Sequence, residues 1–405
     1  MLRWTVRRHE PPAPHAGERR ALVIGAGLAG ALAADALARR DWSVTVLDAA
    51  DAPAQGASAL PWGLLHPHVS RDDNRASQLE RAGFRLALQA LARSDAAPRG
   101  RWRSCGVFEL ASDGVAAQAE RVLHEFGLPP SLVRWLDAAA AAERVGALPR
   151  GGGWWYGQGG SVAVRDWCAD LLAHPRIRFC RAAAVVSLER TTEGWSVRGV
   201  PPDRSVMAAP VAIVAAAAQS ARLIGARYLP LHAIGGRISR LSAVPGLRAA
   251  LAGAGTLVPG DDEALLGATF EAAGEAPLDE ARAHHANLAR LPRLLARPPE
   301  VQWRGTFAGE RSAARDRQPY AGAVADEQAA LAGGARMSGA QLDDVPRRAG
   351  LYVSAAFGSR GLLLAPLAAE LLAAQIEGEP WPVERPLAAA LDPARVLLRA
   401  LRRLA

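Results

Sequence analysis

Residues 21–48 read ALVIGAGLAGALAADALARRDWSVTVLD, and this stretch decides the fold. Val23 and Ile24 are β-formers that close a strand, the alanines from Leu32 to Leu37 favour a helix, and Val44-Thr45-Val46-Leu47 makes a second strand. Between the first strand and the helix lies Gly25-x-Gly27-x-x-Gly30. Gly25 permits a tight turn, Gly27 lets the backbone approach a diphosphate, and Gly30 allows close packing of helix on strand. The helix start at Leu28 and Ala29 supplies unpaired N–H groups and a positive dipole end for that diphosphate. Asp48, at the end of the second strand, stands where an acid accepts both hydroxyls of a ribose. The motif alone is weak. The strand before it, the helix after it and the acid at this distance make it a dinucleotide site.

The chain has 405 residues, half of them apolar and 22% charged, as in globular enzymes. All 48 basic residues are arginine, against 40 acids, for a net charge of +8. Together with the excess of alanine, this reads first as codon bias, but a basic surface still attracts polyanions. Arginines crowd both ends: Arg3, Arg7, Arg8, Arg19 and Arg20, then Arg395, Arg399, Arg402 and Arg403. The tail also reads as an amphipathic helix with Val396, Leu397, Leu398 and Leu401 packed inward. Cys105, Cys168 and Cys180 form no C-x-x-C pair, so the sequence suggests neither a metal site nor a disulfide framework, and a reducing cytoplasm is expected. The N-terminus lacks the apolar core of a secretory signal, and there is no uninterrupted apolar run of spanning length, so no membrane association is expected.

Residues 1–19 read as a basic tether. Helices are expected at 76–91, 115–126, 137–146, 164–172, 278–295 and 362–376. Strands are expected at 107–110, 177–180, 184–189, 211–215, 237–241, 265–270 and 351–354. After the second strand the chain breaks into a loop, Gln55-Gly56-Ala57-Ser58, that ends in Gly63-Leu64-Leu65-His66-Pro67. A nicotinamide-dependent dehydrogenase would usually continue with further βαβ units, whereas a long loop suits a ligand lying extended across it. A second glycine turn, Gly358-Ser359-Arg360-Gly361, opens the last long helix at Leu362. A helix start aimed at a flavin ring stabilises the negative charge that reduction places there, so FAD is the expected cofactor.

These stretches carry a resemblance. Residues 56–84 (GASALPWGLLHPHVSRDDNRASQLERAGF), Arg311-x4-Asp316-x-x-Pro319-x-x-Gly322, and 358–382 followed by LDPARVLLRALRR at 391–403 resemble the glycine oxidase/D-amino acid oxidase superfamily. More narrowly, they are similar to the FAD-dependent half of bifunctional tRNA wobble-uridine enzymes of the MnmC type. The resemblance implies a Rossmann-like α/β FAD-binding domain (20–100, 151–220 and 306–405) with an inserted α+β substrate domain on an antiparallel sheet (101–150 and 221–305). It implies FAD held by Gly25, Gly27, Leu28, Ala29, Gly30, Asp48, Ser58, Gly63, Leu64, Val185, Gly358, Ser359, Arg360, Gly361 and Leu362. It also implies loss of hydride from the N-carboxymethyl CH2 of 5-carboxymethylaminomethyl-2-thiouridine in tRNA to the flavin, then hydrolysis to glyoxylate and 5-aminomethyl-2-thiouridine. A carboxylate there calls for a planar bidentate cation, and Arg311 matches the family's carboxylate-binding arginine. Arg360 is placed to touch flavin or RNA, and His66 to donate near the ring.

Two departures stand out. Gly236-Arg237 replaces the family's Gly-Gln, and Ala215 to Ala218 runs unbroken where relatives tend to have a glycine. Bifunctional relatives also carry an N-terminal S-adenosylmethionine-dependent methyltransferase. Only about twenty residues precede the FAD unit here, so a separate methyltransferase, or a split or truncated gene, is expected. Two other readings stay open: an oxidase of a free small amine such as glycine or sarcosine, and a flavin- or tRNA-binding module without turnover.

Overall fold

The computed structural model describes residues 15–112, 114–200, 207–271, 276–333 and 340–404. Most of the expected basic tether, with Arg3, Arg7 and Arg8, lies outside them. Among the described residues the strands form four sheets. The central one runs Tyr320–Ala325, Arg347–Ala355, Val211–Val214, Arg20–Ile24, Ser43–Leu47, Ile177–Cys180. Its strands are parallel except the first, which pairs antiparallel with its neighbour.

Strand alternation divides the core. Ala21, Val23, Val44, Val46, Val211 and Ile213 point to one face and share a core with the helices Leu28–Ala38, Arg75–Arg93, Val164–Leu172 and Gly361–Glu377. Leu22, Ile24, Leu47, Ala212 and Val214 point to the other, where Trp195 and Val197 of a three-stranded antiparallel sheet (Ala184–Thr191, Gly194–Val200, Met207–Ala209) cover them. Both faces are thus buried, as a parallel sheet requires.

The second large sheet has eight strands, in the order Trp303–Ala313, His232–Ser242, Glu263–Gly267, Thr256–Pro259, Ala250–Ala252, Val107–Leu110, Gly153–Tyr156, Arg134–Leu136. It is antiparallel apart from the pairing of Ala250–Ala252 with Val107–Leu110. This α/β architecture with a parallel and an antiparallel sheet is the expected fold class. The partition differs in detail: Gly153–Tyr156 and the whole of Trp303–Ala313 belong to the antiparallel sheet, although the expected boundaries gave the first, and most of the second, to the FAD-binding portion. An apolar run such as Gly153-Trp154-Trp155-Tyr156 carries no alternation to say which sheet it joins; long-range register decides. The strand expected at 265–270 ends at Gly267, which leaves Phe270 outside it.

Candidate active site

The early glycine turn has the geometry its residues require. Gly25 sits at φ +107°, and a Cβ there would lie 2.5 Å from the carbonyl oxygen of Ala215. A Cβ on Gly30 would run into the carbonyl of Gly25. Gly27, before the first turn of helix Leu28–Ala38, faces only Ser58 Oγ, 3.3 Å from where its Cβ would stand. Ser58 accepts the Leu28 N–H at 3.0 Å, whereas the amides of Ala29 and Gly30 have no partner among the described residues. Asp48 accepts the Ala26 N–H at 2.7 Å and the Ala50 N–H at 2.9 Å. It therefore braces the glycine turn, while each carboxylate oxygen keeps accepting capacity. Ala183 donates to the Asp48 carbonyl at 2.7 Å, which brings Val185 of strand Ala184–Thr191 to the same end.

The late glycine turn meets this unit directly. Helix Gly361–Glu377 packs along helix Leu28–Ala38, and Leu28 Cδ2 stands 3.8 Å from where a Gly361 Cβ would be. A Cβ on Gly63 would lie 2.6 Å from Leu362 Cδ1, so strand Gly63–Leu65, with Leu64, runs past the same helix start. The amides of Gly361 and Leu362 have no partner among the described residues. Gly27 meets Ser58, Leu28 meets Ser58 and Gly361, and Gly63 meets Leu362, so the early glycine turn, the loop after the second strand and the late glycine turn adjoin one another. The unpaired amides and the open space at Gly27 fit a diphosphate at one helix start and a reducible ring at the other.

The strand that carries Arg311, Trp303–Ala313, runs past both loops. A Cβ on Gly309, two residues from Arg311 on the same face, would lie 3.5 Å from Ala57 Cα. The next residue, Ser312, accepts the Gly358 N–H at 2.8 Å. The guanidinium donates to the carbonyls of Thr269 (3.2 Å) and Gly235 (3.5 Å) and packs 4.5 Å from the ring centre of Phe270. Gly236 leaves the space it fills, since a Cβ there would collide with Nη2. Among the described residues no carboxylate lies in ion-pair range of it. Burial lowers its pKa, opposed by the charge of Glu271, but a guanidinium stays protonated. A half-buried cation without a counter-ion is set to receive an anion.

The other two expected residues are held elsewhere. Arg360 donates through Nη1 to Glu80 at 3.2 Å and through Nη2 to the Arg317 carbonyl, so its charge is spent inside the protein. The His66 ring lies 5.2 Å from that of Tyr156 and interacts through Nδ1 with the Pro67 carbonyl at 2.9 Å. Beside it is a polar cluster that the sequence did not single out: Glu109 accepts from Tyr156 OH and pairs with His68 Nδ1, both at 2.9 Å, while the His68 N–H donates to Glu80 at 3.1 Å. Burial and the neighbouring carboxylate push Tyr156 well up. The hydrogen bond to Glu109 raises His68. Desolvation works against ionised Glu109, but the histidines and Tyr156 hold its carboxyl below the usual range. These four residues are scattered over residues 68–156, so no local motif marks them.

Arg237, the first departure, turns away from Arg311. Its Nε donates to the Leu278 carbonyl at 2.7 Å and lies 3.9 Å from Glu271, because successive strand residues face opposite sides.

A family model described as "FAD dependent oxidoreductase" (DAO) matches residues 20–375. The chain belongs to the DAO family of FAD-dependent oxidoreductases. FAD is the family's cofactor. In line with this, the fold superposes on glycine oxidase from Geobacillus kaustophilus with a TM-score of 0.71 at 22% identity, covering 93% of this chain and 99% of that one. Within the DAO family the chain is similar to the tRNA 5-methylaminomethyl-2-thiouridine biosynthesis bifunctional protein MnmC. The Cupriavidus necator protein is 42% identical over 98% of this chain and 64% of its own length. The Burkholderia thailandensis protein is 41% identical over 99% and 63%. The chain thus spans somewhat under two thirds of these relatives. They are single bifunctional chains, so their second activity is fused rather than carried by a separate partner.

Proposed function

We propose that this DAO-family protein removes the carboxymethyl group from 5-carboxymethylaminomethyl-2-thiouridine in tRNA, giving 5-aminomethyl-2-thiouridine and glyoxylate. The single observation that carries the reading is Arg311, a half-buried cation without a carboxylate partner among the described residues, on the strand whose neighbouring residues Gly309 and Ser312 meet Ala57 and Gly358. The identity of about 40% with tRNA-modifying relatives supplies the substrate class.

FAD, when bound, accepts the hydride lost from the CH2 next to nitrogen. The chain's own residues position the substrate: Arg311 holds the carboxylate through two parallel N–H bonds, which orients that CH2 relative to the helix start at Gly361. The amides of Gly361 and Leu362 favour negative charge at that end. Water adds to the resulting imine carbon, the C–N bond breaks, and the amine remains on the nucleoside. Arg360 and Glu80 hold the late glycine turn. The cellular setting in this reading is the cytoplasm; among the described residues the cysteines are free and no helix is long and apolar enough to cross a membrane.

The test is incubation of the FAD-loaded protein with tRNA carrying the carboxymethylaminomethyl nucleoside. Glyoxylate and aminomethyl nucleoside in equal amounts are expected. No conversion, with turnover of glycine or sarcosine instead, would establish the free-amine reading.

A further inference from the structure

Phe270 is 62% exposed, the most exposed large apolar side chain among the described residues. Its place is specific. The strand before it ends at Gly267, and Glu271 just after it exchanges both backbone hydrogen bonds with Gly235, each 3.0 Å. This clamp fixes the backbone at Phe270, and the Arg311 guanidinium covers one part of the ring at 4.5 Å. The rest of the ring is bare and lies beside the cation assigned to the substrate carboxylate. A lone exposed phenyl on a surface needs no explanation, but one packed against a half-buried arginine that has no carboxylate partner among the described residues is a prepared flat surface.

Resting on the proposed function, we infer that Phe270 is the stacking platform for the base of the modified nucleoside, making it the residue that selects a nucleoside-borne amine over a free one. In the proposed substrate four bonds separate the carboxylate carbon from the pyrimidine ring, about 5 Å when extended. The Arg311 guanidinium carbon and the Phe270 ring centre are 4.5 Å apart, so the two side chains are neighbours on the scale of such a substrate. A carboxylate on Arg311 therefore brings the base within reach of the exposed ring. Stacking is tolerant of base identity and needs no hydrogen-bonding partner on the protein. Glycine and sarcosine carry the carboxylate and the amine but nothing to stack.

The experiment compares wild type, Phe270→Ala and Phe270→Tyr, each loaded with FAD, on two substrates: the free modified nucleoside and sarcosine. The expected result for Phe270→Ala is a rise in KM for the nucleoside of roughly tenfold or more with kcat little changed. Sarcosine kinetics and FAD content stay as in wild type, and Phe270→Tyr restores the nucleoside KM. Equal losses on both substrates, or an unchanged nucleoside KM, would overturn the inference. If wild type turns over no modified nucleoside, the proposed function itself fails, a different outcome from either.

Discussion

Arg395 and Asp316, 79 residues apart in sequence, form two parallel hydrogen bonds of 2.9 Å each, Nε to Oδ2 and Nη2 to Oδ1. Arg395 is 5% exposed and also donates to the carbonyls of Gln318 and Pro319, with its guanidinium 4.2 Å from the Tyr320 ring centre. Nearby, Pro393 Cδ stands 3.0 Å from where a Gly322 Cβ would lie. The D-x-x-P-x-x-G stretch and the LDPAR stretch therefore bind each other: the shared sequence signature is a structural clasp. Arg395 is accordingly not available to RNA. Leu397, Leu398 and Leu401 are buried as the packed reading of the tail requires, and Arg399 also reaches Asp316, at 3.0 Å.

Breaking this clasp should cost stability. Arg395→Ala is expected to destabilise by about 1–3 kcal/mol, since it removes buried charge-assisted hydrogen bonds and leaves Asp316 only Arg399; denaturant melts measure it. Desolvation opposes ionisation of Asp316, but Arg395 holds its carboxyl below the ordinary 3.8. The contribution is therefore complete above that value and lost as pH falls below it through the folded-state pKa. An acid-unfolding midpoint no different in Arg395→Ala would count against the clasp.

Gly27→Ala and Gly30→Ala should separate binding from folding. At Gly27 a methyl group meets only Ser58 Oγ, so the apo melting temperature should stay near wild type while the flavin content of the purified protein falls. At Gly30 the methyl collides with backbone, and both stability and flavin content should drop.

Arg311→Ala removes the cation but not the glycine turns. The flavin content is expected to be unchanged, while kcat/KM falls by two to three orders of magnitude, as about 2–5 kcal/mol for a buried charged partner implies. Steady-state kinetics with flavin-normalised enzyme measure this. Arg311→Lys should recover only part of it, because an ammonium does not make the two-point contact.

Ala217 stands at φ +49°, a conformation that favours glycine, within the alanine run 215–218. Ala217→Gly should raise stability by roughly 1 kcal/mol by relieving the left-handed backbone. A melting temperature lowered by the substitution would show that the alanine methyl has packing value that this reading omits.

His68, raised by its hydrogen bond to Glu109, should stabilise the fold below its ordinary 6.5 and lose that contribution as pH rises through the folded-state pKa. Melting temperatures taken from pH 6 upward should show this decline in wild type and not in His68→Gln.

By itself the sequence determined what depends on neighbours along the chain. The Gly25–Gly30 turn, the strand that Val23 and Ile24 close, and the helix starts at Leu28 and Gly361 are local, because φ preferences and β propensity act over a few residues. Only the tertiary structure decided what depends on register between distant strands. It set the Arg311 guanidinium on Gly235, Thr269 and Phe270, committed Arg360 to Glu80 and Arg395 to Asp316, and assembled His68, Glu80, Glu109 and Tyr156 into one cluster. An arginine's composition and spacing are the same whether its charge is spent on a buried acid or left open for a substrate. The difference lies in which carboxylates the fold brings within reach, and that is fixed by pairings tens to hundreds of residues apart.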